Sequence, residues 1–321
     1  MNLSKLSIKT FLHNLYNLFA YDYHQNDIIR TKQWCYLNEI AARAEILRCY
    51  PDRDNTPYRD EIDYIEHYGV SLFPYTQLKH VQHTESGWDN MLRLPYAVID
   101  NKRLYFPDNM TPEEAAALCD YYLECEQLLG GEYQKKAPHQ YQSDNVHIAD
   151  GDIMVDVGAA EGLVTLSVIE KISKAYLIEC DRKWWAPLNA TFAPWKDKCK
   201  IVPKLITDHE GKHSTKLDTL LSQESKKPLF IKMDIEGNEI KVINSSKEFL
   251  TKRSNIKMAV CTYHRQNDAN IIGTLVDSMG FQREFSDGWM LYKDGLLSQT
   301  SHNMDPLVYP FFRHGIIRAW K

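Results

Sequence analysis

The chain has 321 residues, 44% of them hydrophobic and 25% charged, with a formal net charge of −5. That composition is ordinary for a globular protein, allows one large domain or two, and shows no basic footprint for nucleic acid at the whole-chain level. No apolar run reaches the roughly 18 residues of a membrane-spanning helix, so no membrane span is expected.

Met1 to Thr10 lacks the long apolar stretch and small-residue cleavage site of a secretory signal. Cys35, Cys49, Cys119, Cys125, Cys180, Cys199 and Cys261 are odd in number, scattered and free of C-x-x-C. They read as reduced thiols in a cytoplasmic protein.

Residues 1–140 form a mainly helical accessory region by pattern. Leu6, Ile8, Phe11, Leu12, Leu15, Leu18 and Phe19 fall at helical spacing, and a second helical pattern runs from about Gln25 to Cys49. Tyr96 to Phe106 reads as a hairpin around Asp100-Asn101-Lys102. Thr111-Pro112-Glu113-Glu114 is a helix start with a capping box, and the predicted helix runs to about Leu129 before Gly130-Gly131. Glu132 to Asp144 reads as a polar linker. His80 and His83 are a spaced pair without further ligands, so no metal is expected. The tyrosines and tryptophans of this half suit either a core or a sugar-stacking surface. The region is expected to shape a substrate pocket or form a contact in a homodimer.

From residue 141 to 321 strands and helices alternate, the pattern of an α/β, doubly wound, mostly parallel sheet. Asp152 to Asp156 is a short apolar strand, and Gly158, Ala160, Glu161 and Gly162 make the turn into an apolar helix pattern beginning at Leu163. Ala175 to Glu179 is the next strand. Glu179 lies about 20 residues past the glycines, where an acid meets ribose hydroxyls in nucleotide-binding βαβ units. Trp184 to Phe192 is a helix, and Cys199 to Ile206 a strand whose Pro203 suits a sheet edge. Lys216 to Leu221 is a short helix, and Pro228 to Asp234 a strand whose buried Lys232 needs a carboxylate partner. A helix over 242–252, a strand over Ile256–Thr262 and a helix over Asn270–Met279 follow. Phe281–Phe285 and Trp289–Tyr292 flank Asp287-Gly288, which reads as a hairpin turn. His314 to Trp320 is a further strand candidate.

The glycine turn reads Gly-x-x-x-Gly after an Asp, not G-x-G-x-x-G, and resembles that of class I S-adenosylmethionine-dependent methyltransferases. The ordered set Asp156–Gly162 (DVGAAEG), Tyr176–Asp181 (YLIECD), Leu217–Leu221 (LDTLL) and Ile231–Glu239 (IKMDIEGNE) is similar to the FkbM-type methyltransferase family over roughly residues 145 to 295. The resemblance implies a seven-stranded Rossmann-like sheet with antiparallel closing strands, S-adenosyl-L-methionine as cofactor, and O-methylation of a hydroxylated small molecule or glycan. This chain has Ala160 where the family often has Asn.

In open α/β sheets ligands bind beyond the carboxyl ends of the strands. Asp156, Glu179, Asp208, Asp234 and His264 all fall there, and acids complement the ammonium and sulfonium of the implied cofactor. Cofactor contacts are therefore expected from Asp156, Gly158, Ala160, Glu161, Gly162, Glu179, Asp208 and Asp234, with Asp208 beside the adenine or simply starting a turn. Asp234, Glu236 and His264 are the candidate general bases. Two other readings stay open: a nicotinamide-dependent oxidoreductase, which shares the ribose acid, and a non-catalytic scaffold keeping the fold.

Overall fold

The computed structural model describes residues 39–224, 227–291 and 309–321. The apolar set from Leu6 to Phe19 lies outside them, as does the first part of the pattern from Gln25. The chain divides into two compact units, residues 1–71 with 293–311, and residues 72–292 with 312–321.

In the first unit a helix over 39–49 and the helix Arg59–Tyr68 bury Ile46, Ile62 and Ile65. Tyr50 lies against the rings of Tyr58, Tyr309 and Phe311.

The second unit opens with an antiparallel meander of β1 (Ser86–Asp89), β2 (Leu94–Ile99) and β3 (Lys102–Tyr105). The predicted hairpin is its second half, turning on Asp100 and Asn101 with positive φ. The helix Pro112–Glu124 has both bonds of the predicted capping box. It ends short of Leu129 because the Gln134 side-chain amide donates to the Glu124 and Cys125 carbonyls and the chain reverses at Gln127, whose φ is +51°.

The remaining strands are β4 (Ile153–Val157), β5 (Lys174–Ile178), β6 (Cys199–Val202), β7 (Leu205–Ile206), β8 (Ser214–Thr215), β9 (Leu229–Met233), β10 (Ile256–Cys261), β11 (Gln282–Phe285), β12 (Met290–Leu291), β13 (Phe312–Arg313) and β14 (Ile316–Trp320). Seven of them form one sheet in the order β11-β14-β10-β9-β4-β5-β6. All neighbours from β10 to β6 are parallel, whereas β14 runs antiparallel to both β10 and β11. The fold is thus the expected doubly wound, mostly parallel Rossmann-like sheet with antiparallel closure. The central strands β4 and β9 are wholly buried, and alternate residues feed opposite faces. Met154 and Phe230 pack with Leu163, Leu188 and Phe192 on one face; Ile153, Val155 and Ile231 pack with Val242, Ile243 and Ile272 on the other.

Two expectations need correction. The strand over 199–206 is split at Pro203 into edge strand β6 and a separate β7–β8 ladder, because proline has no N–H to give the sheet. The segments around Asp287-Gly288 do not pair as a hairpin. β11 pairs with β14, and β12 pairs with β13, so the end of the chain enters the sheet between β10 and β11. Among the described residues no helix is long and apolar enough to cross a membrane.

Candidate active site

The glycine turn and the end of β9 are built against each other. Gly158 has φ +80°, and a Cβ there would stand 1.8 Å from the Asp234 carbonyl oxygen. The N–H groups of Gly158 and Ala159 both donate to the Ile178 carbonyl at 3.0 Å, which fastens the turn to β5. Ala160 holds a left-handed φ of +45°, an unusual state for a residue with a side chain. Its N–H is thereby aimed at Glu179 Oε2, 3.0 Å away. Gly162 starts the short helix Leu163–Ser167, and a Cβ there would stand 2.7 Å from the ring of Phe192.

Asp156 faces inward. Its carboxylate pairs with Lys232 Nζ at 2.9 Å and accepts from Thr165 Oγ1 at 2.7 Å. Lys232 Nζ also donates to the Gly158 carbonyl at 2.6 Å. Burial pushes this ammonium down, but the Asp156 and Asp234 carboxylates outweigh it and hold Lys232 above its ordinary value. The pair is the partner predicted for Lys232, and it pins the glycine turn from below. Glu161, also buried, is pushed up to about 7, chiefly by burial.

Glu179 ends β5 with both carboxylate oxygens on backbone donors, Oε2 on Ala160 and Oε1 on Asp181 at 2.6 Å. Its own carbonyl accepts from Trp185 Nε1 at 3.0 Å. Asp208 lies past the small β7–β8 ladder. It is half-exposed beside His209 at 2.8 Å and Lys241 at 3.3 Å, and the His209 bond leads in lowering its carboxyl to about 2.

Asp234 is the hub of a second cluster. Tyr141 Oη donates to Oδ2 at 3.2 Å, and Tyr263 Oη lies 3.2 Å from Oδ1. His264 Nε2 stands 3.4 Å from Oδ1, and His139 Nε2 stands 3.8 Å from Oδ2. Burial raises the Asp234 carboxyl, yet Lys232, His139 and His264 together bring it below its ordinary value. His264 is almost fully buried among three acids: Glu239 at 3.1 Å on Nδ1, with Asp234 and Glu236 each at 3.4 Å from Nε2. Burial lowers its basicity, but the Glu239 bond and the Asp234 and Glu236 charges outweigh that and raise its pKa. Glu236 is largely exposed on a left-handed backbone, and Glu239 Oε1 also accepts from the Ile235 N–H at 2.8 Å, which closes the turn.

The three base candidates therefore meet at one place, and the predicted cofactor acids divide. Glu179 and Asp234 lie against the glycine turn, Asp156 lies beneath it, and Asp208 follows β7 beside Lys241 of the helix Glu239–Ser245. Sequence reasoning missed Glu126, His139, Tyr141, Glu239, Cys261 and Tyr263. For Cys261 and Tyr263 a signal existed: they share one face of β10 and its extension by period two. Glu239 stands in the quoted IKMDIEGNE stretch. His139 and Tyr141 also sit two apart, but in a stretch read as linker. Two groups, His139–Asp234–Cys261 and Asp234–Glu239–His264, bring donor atoms within 4.8 Å of one another. His80 and His83 are exposed and stand beside different acids, Glu124 and Asp120.

Residues 140–283 match the family profile of the methyltransferase FkbM domain. No curated protein matches the chain. Among solved structures, it is similar to the methyltransferase FkbM of Methylobacillus flagellatus KT, with 18% identity and a TM-score of 0.42 over 56% of this chain and 46% of that one. It is also similar to the precorrin-6y C5,15-methyltransferase of Geobacter metallireducens GS-15, with 12% identity and a TM-score of 0.36 over 55% of this chain and 83% of that one. A third is an S-adenosylmethionine-dependent O-methyltransferase of Thermotoga maritima, with 13% identity and a TM-score of 0.33 over 54% of this chain and 60% of that one. The match thus spans less than half of the Methylobacillus chain.

Proposed function

From the match of residues 140–283 to the methyltransferase FkbM family profile we propose that the chain transfers a methyl group from S-adenosyl-L-methionine to a hydroxyl oxygen, of a sugar or a similar hydroxylated metabolite. The observation that carries this reading is the close backbone approach of the Gly158 turn to Asp234. It sets a glycine turn fit for a nucleoside cofactor directly beside a carboxylate–histidine cluster fit for deprotonating an acceptor.

The residues suit the cofactor. Backbone without side chains at Gly158 and Gly162 lets a ligand approach the turn. Glu179 offers a carboxylate able to accept two ribose hydroxyl protons, and the acidic strand ends complement positive charge. When bound, S-adenosylmethionine supplies the methyl group as an electrophile on a sulfonium centre. Asp156 and Lys232 hold the turn in place beneath it.

The chain must hold the acceptor oxygen in line with the methyl–sulfur bond, an orientation effect that contributes much of the rate. It must also remove the hydroxyl proton. His264 is the base this geometry favours. Glu239 holds Nδ1, so Nε2 faces Asp234 and Glu236, and the surrounding acids stabilise the imidazolium formed when it takes the proton. Asp234 contributes a negative charge beside Nε2, and exposed Glu236 is placed to meet the acceptor. We further propose that residues before 141 shape the acceptor side. Glu126 and His139, which reach the Asp234 cluster, support this.

The test is incubation with methyl-labelled S-adenosylmethionine and a panel of hydroxylated glycans and small molecules. Label retained in the product after mild alkali is expected, because an ether survives it. Label released as methanol would mean carboxyl methylation and would overturn the hydroxyl assignment.

A further inference from the structure

We infer that His139, seated on Glu126, is a positioning residue for this reaction: through the hydroxyls of Tyr141 and Tyr263 it governs where the proton taken up at Asp234 goes. The inference rests on the methyl-transfer reading above and extends it to a second histidine on the other side of Asp234.

The donor count leads to it. His139 is buried, and its Nδ1 lies 2.7 Å from Glu126 Oε2. A carboxylate only accepts, so Nδ1 carries the proton and Nε2 is turned toward the cluster. Nε2 stands 3.3 Å from both Tyr141 Oη and Tyr263 Oη, 3.6 Å from Cys261 Sγ and 3.8 Å from Asp234 Oδ2. The same two hydroxyls reach Asp234 at 3.2 Å. Each hydroxyl has one proton to donate, and both Asp234 and Nε2 are within its reach, with Cys261 Sγ a further 3.7 Å neighbour of Tyr141 Oη. Where that proton points decides how many donors Asp234 has, and therefore how readily it accepts another proton. The other groups around His139 are the Phe73 ring, stacked at 6.0 Å, and Lys232 Nζ, 5.4 Å from the centre of the Tyr141 ring. His264 meets the far oxygen of Asp234 at 3.4 Å.

The proton path balances. The proton that His264 Nε2 takes from the acceptor hydroxyl passes to Asp234 Oδ1, 3.4 Å away, and leaves His264 neutral. Asp234 passes a proton to a tyrosine oxygen as that tyrosine's own proton moves to His139 Nε2. The tyrosine is unchanged, Asp234 is again an anion, and His139 is an imidazolium between Asp234 and Glu126. No electrons change hands. The proton returns to solvent by the reverse route through Asp234, which is partly exposed.

The test is long-range proton–nitrogen NMR on the full chain with labelled histidine, from about pH 5 to about pH 9, the range in which histidine titrates. The His139 signal is assigned by its loss in His139→Gln. The wild type is expected to show a single His139 tautomer with the proton on Nδ1, held by Glu126. Asp234→Asn should shift the His139 Nε2 signal, and Glu126→Gln should mix its tautomers. The isosteric Glu126→Gln keeps the test decisive if Asp234→Asn does not fold. A His139 signal that is the same in the wild type and in either variant would overturn the inference and leave only packing. Calorimetry of the same samples with S-adenosylhomocysteine reads separately. Absence of binding there overturns the methyl-transfer reading, whatever the histidine signals show.

Discussion

Gly158 and Asp234 touch through the backbone. A Cβ on residue 158 would fall 1.8 Å from the Asp234 carbonyl oxygen, and φ at Gly158 is +80°. Gly280 has nearly the same φ, +79°, with nothing within 4 Å of its Cβ position. The two glycines separate strain from collision. Gly280→Ala should cost only the roughly 1–2 kcal/mol of a left-handed backbone. Gly158→Ala should cost clearly more and also abolish cofactor binding, because β4 and β9 must part. Urea unfolding of both variants checks this; equal losses would contradict it.

The Asp156–Lys232 pair should behave as a buried ion pair with one indispensable partner. Lys232→Met leaves the Asp156 carboxylate uncompensated and should destabilise by about 3–5 kcal/mol. Adding Asp156→Asn should recover part of that loss, giving a favourable coupling in a double-mutant cycle. Because Asp156 faces inward, Asp156→Ala should weaken cofactor binding indirectly, together with a fall in stability. Unchanged stability in either single variant would show that the pair does not support the turn.

Glu161 gives the chain a pH dependence of known sign. Its folded pKa is about 7, above the ordinary carboxyl value of 4.5, because burial disfavours the anion. Between these values this group binds a proton more readily in the folded state than in the unfolded one, so its contribution to stability is full below about 4.5 and is lost as pH rises through about 7. Glu161→Gln should flatten this window and stabilise the protein at about pH 8 by up to roughly 3 kcal/mol, from 1.36 kcal/mol per unit. Denaturation at several pH values checks it. A stability difference between Glu161→Gln and the wild type that does not grow across the window would contradict the assignment.

His264 should act only when deprotonated, and its pKa is raised by Glu239, Asp234 and Glu236 against the effect of burial. Turnover should therefore rise with pH through that raised value. Glu239→Gln should move this acid limb to lower pH. Asp234→Asn and His264→Ala should each lower kcat by roughly 10²–10⁴-fold, the usual worth of a general base, while sparing affinity for S-adenosylhomocysteine. Wild-type turnover in both would remove the proposed base.

Contiguous signals were legible in the sequence. The Gly158 turn, the carboxylate of Glu179 and the Asp234–Glu239 stretch each depend on a bend or strand end specified within a few residues, and Lys232 announced its need for an acid. Pro203 marked the edge strand for the same local reason. What could not be read came from distant segments. Tyr141 reaches Asp234 across 93 residues, and His139 reaches Cys261 across 122. No local periodicity records such pairings. The Asp287-Gly288 turn misled because a good turn does not choose the partners of its flanking strands; here β13 and β14, from the end of the chain, supplied them.

The central claim is that this fold binds S-adenosylmethionine over the Gly158 turn with Glu179 on the ribose. Isothermal titration with S-adenosylhomocysteine tests it most directly, with Glu179→Ala and NAD titrated in parallel. One site per chain with micromolar affinity is predicted for the wild type, with at least about tenfold weaker binding in Glu179→Ala, or 1.4 kcal/mol. Heat from NAD and none from S-adenosylhomocysteine would contradict the account and favour an oxidoreductase; heat from neither would favour a scaffold that keeps the fold without the chemistry.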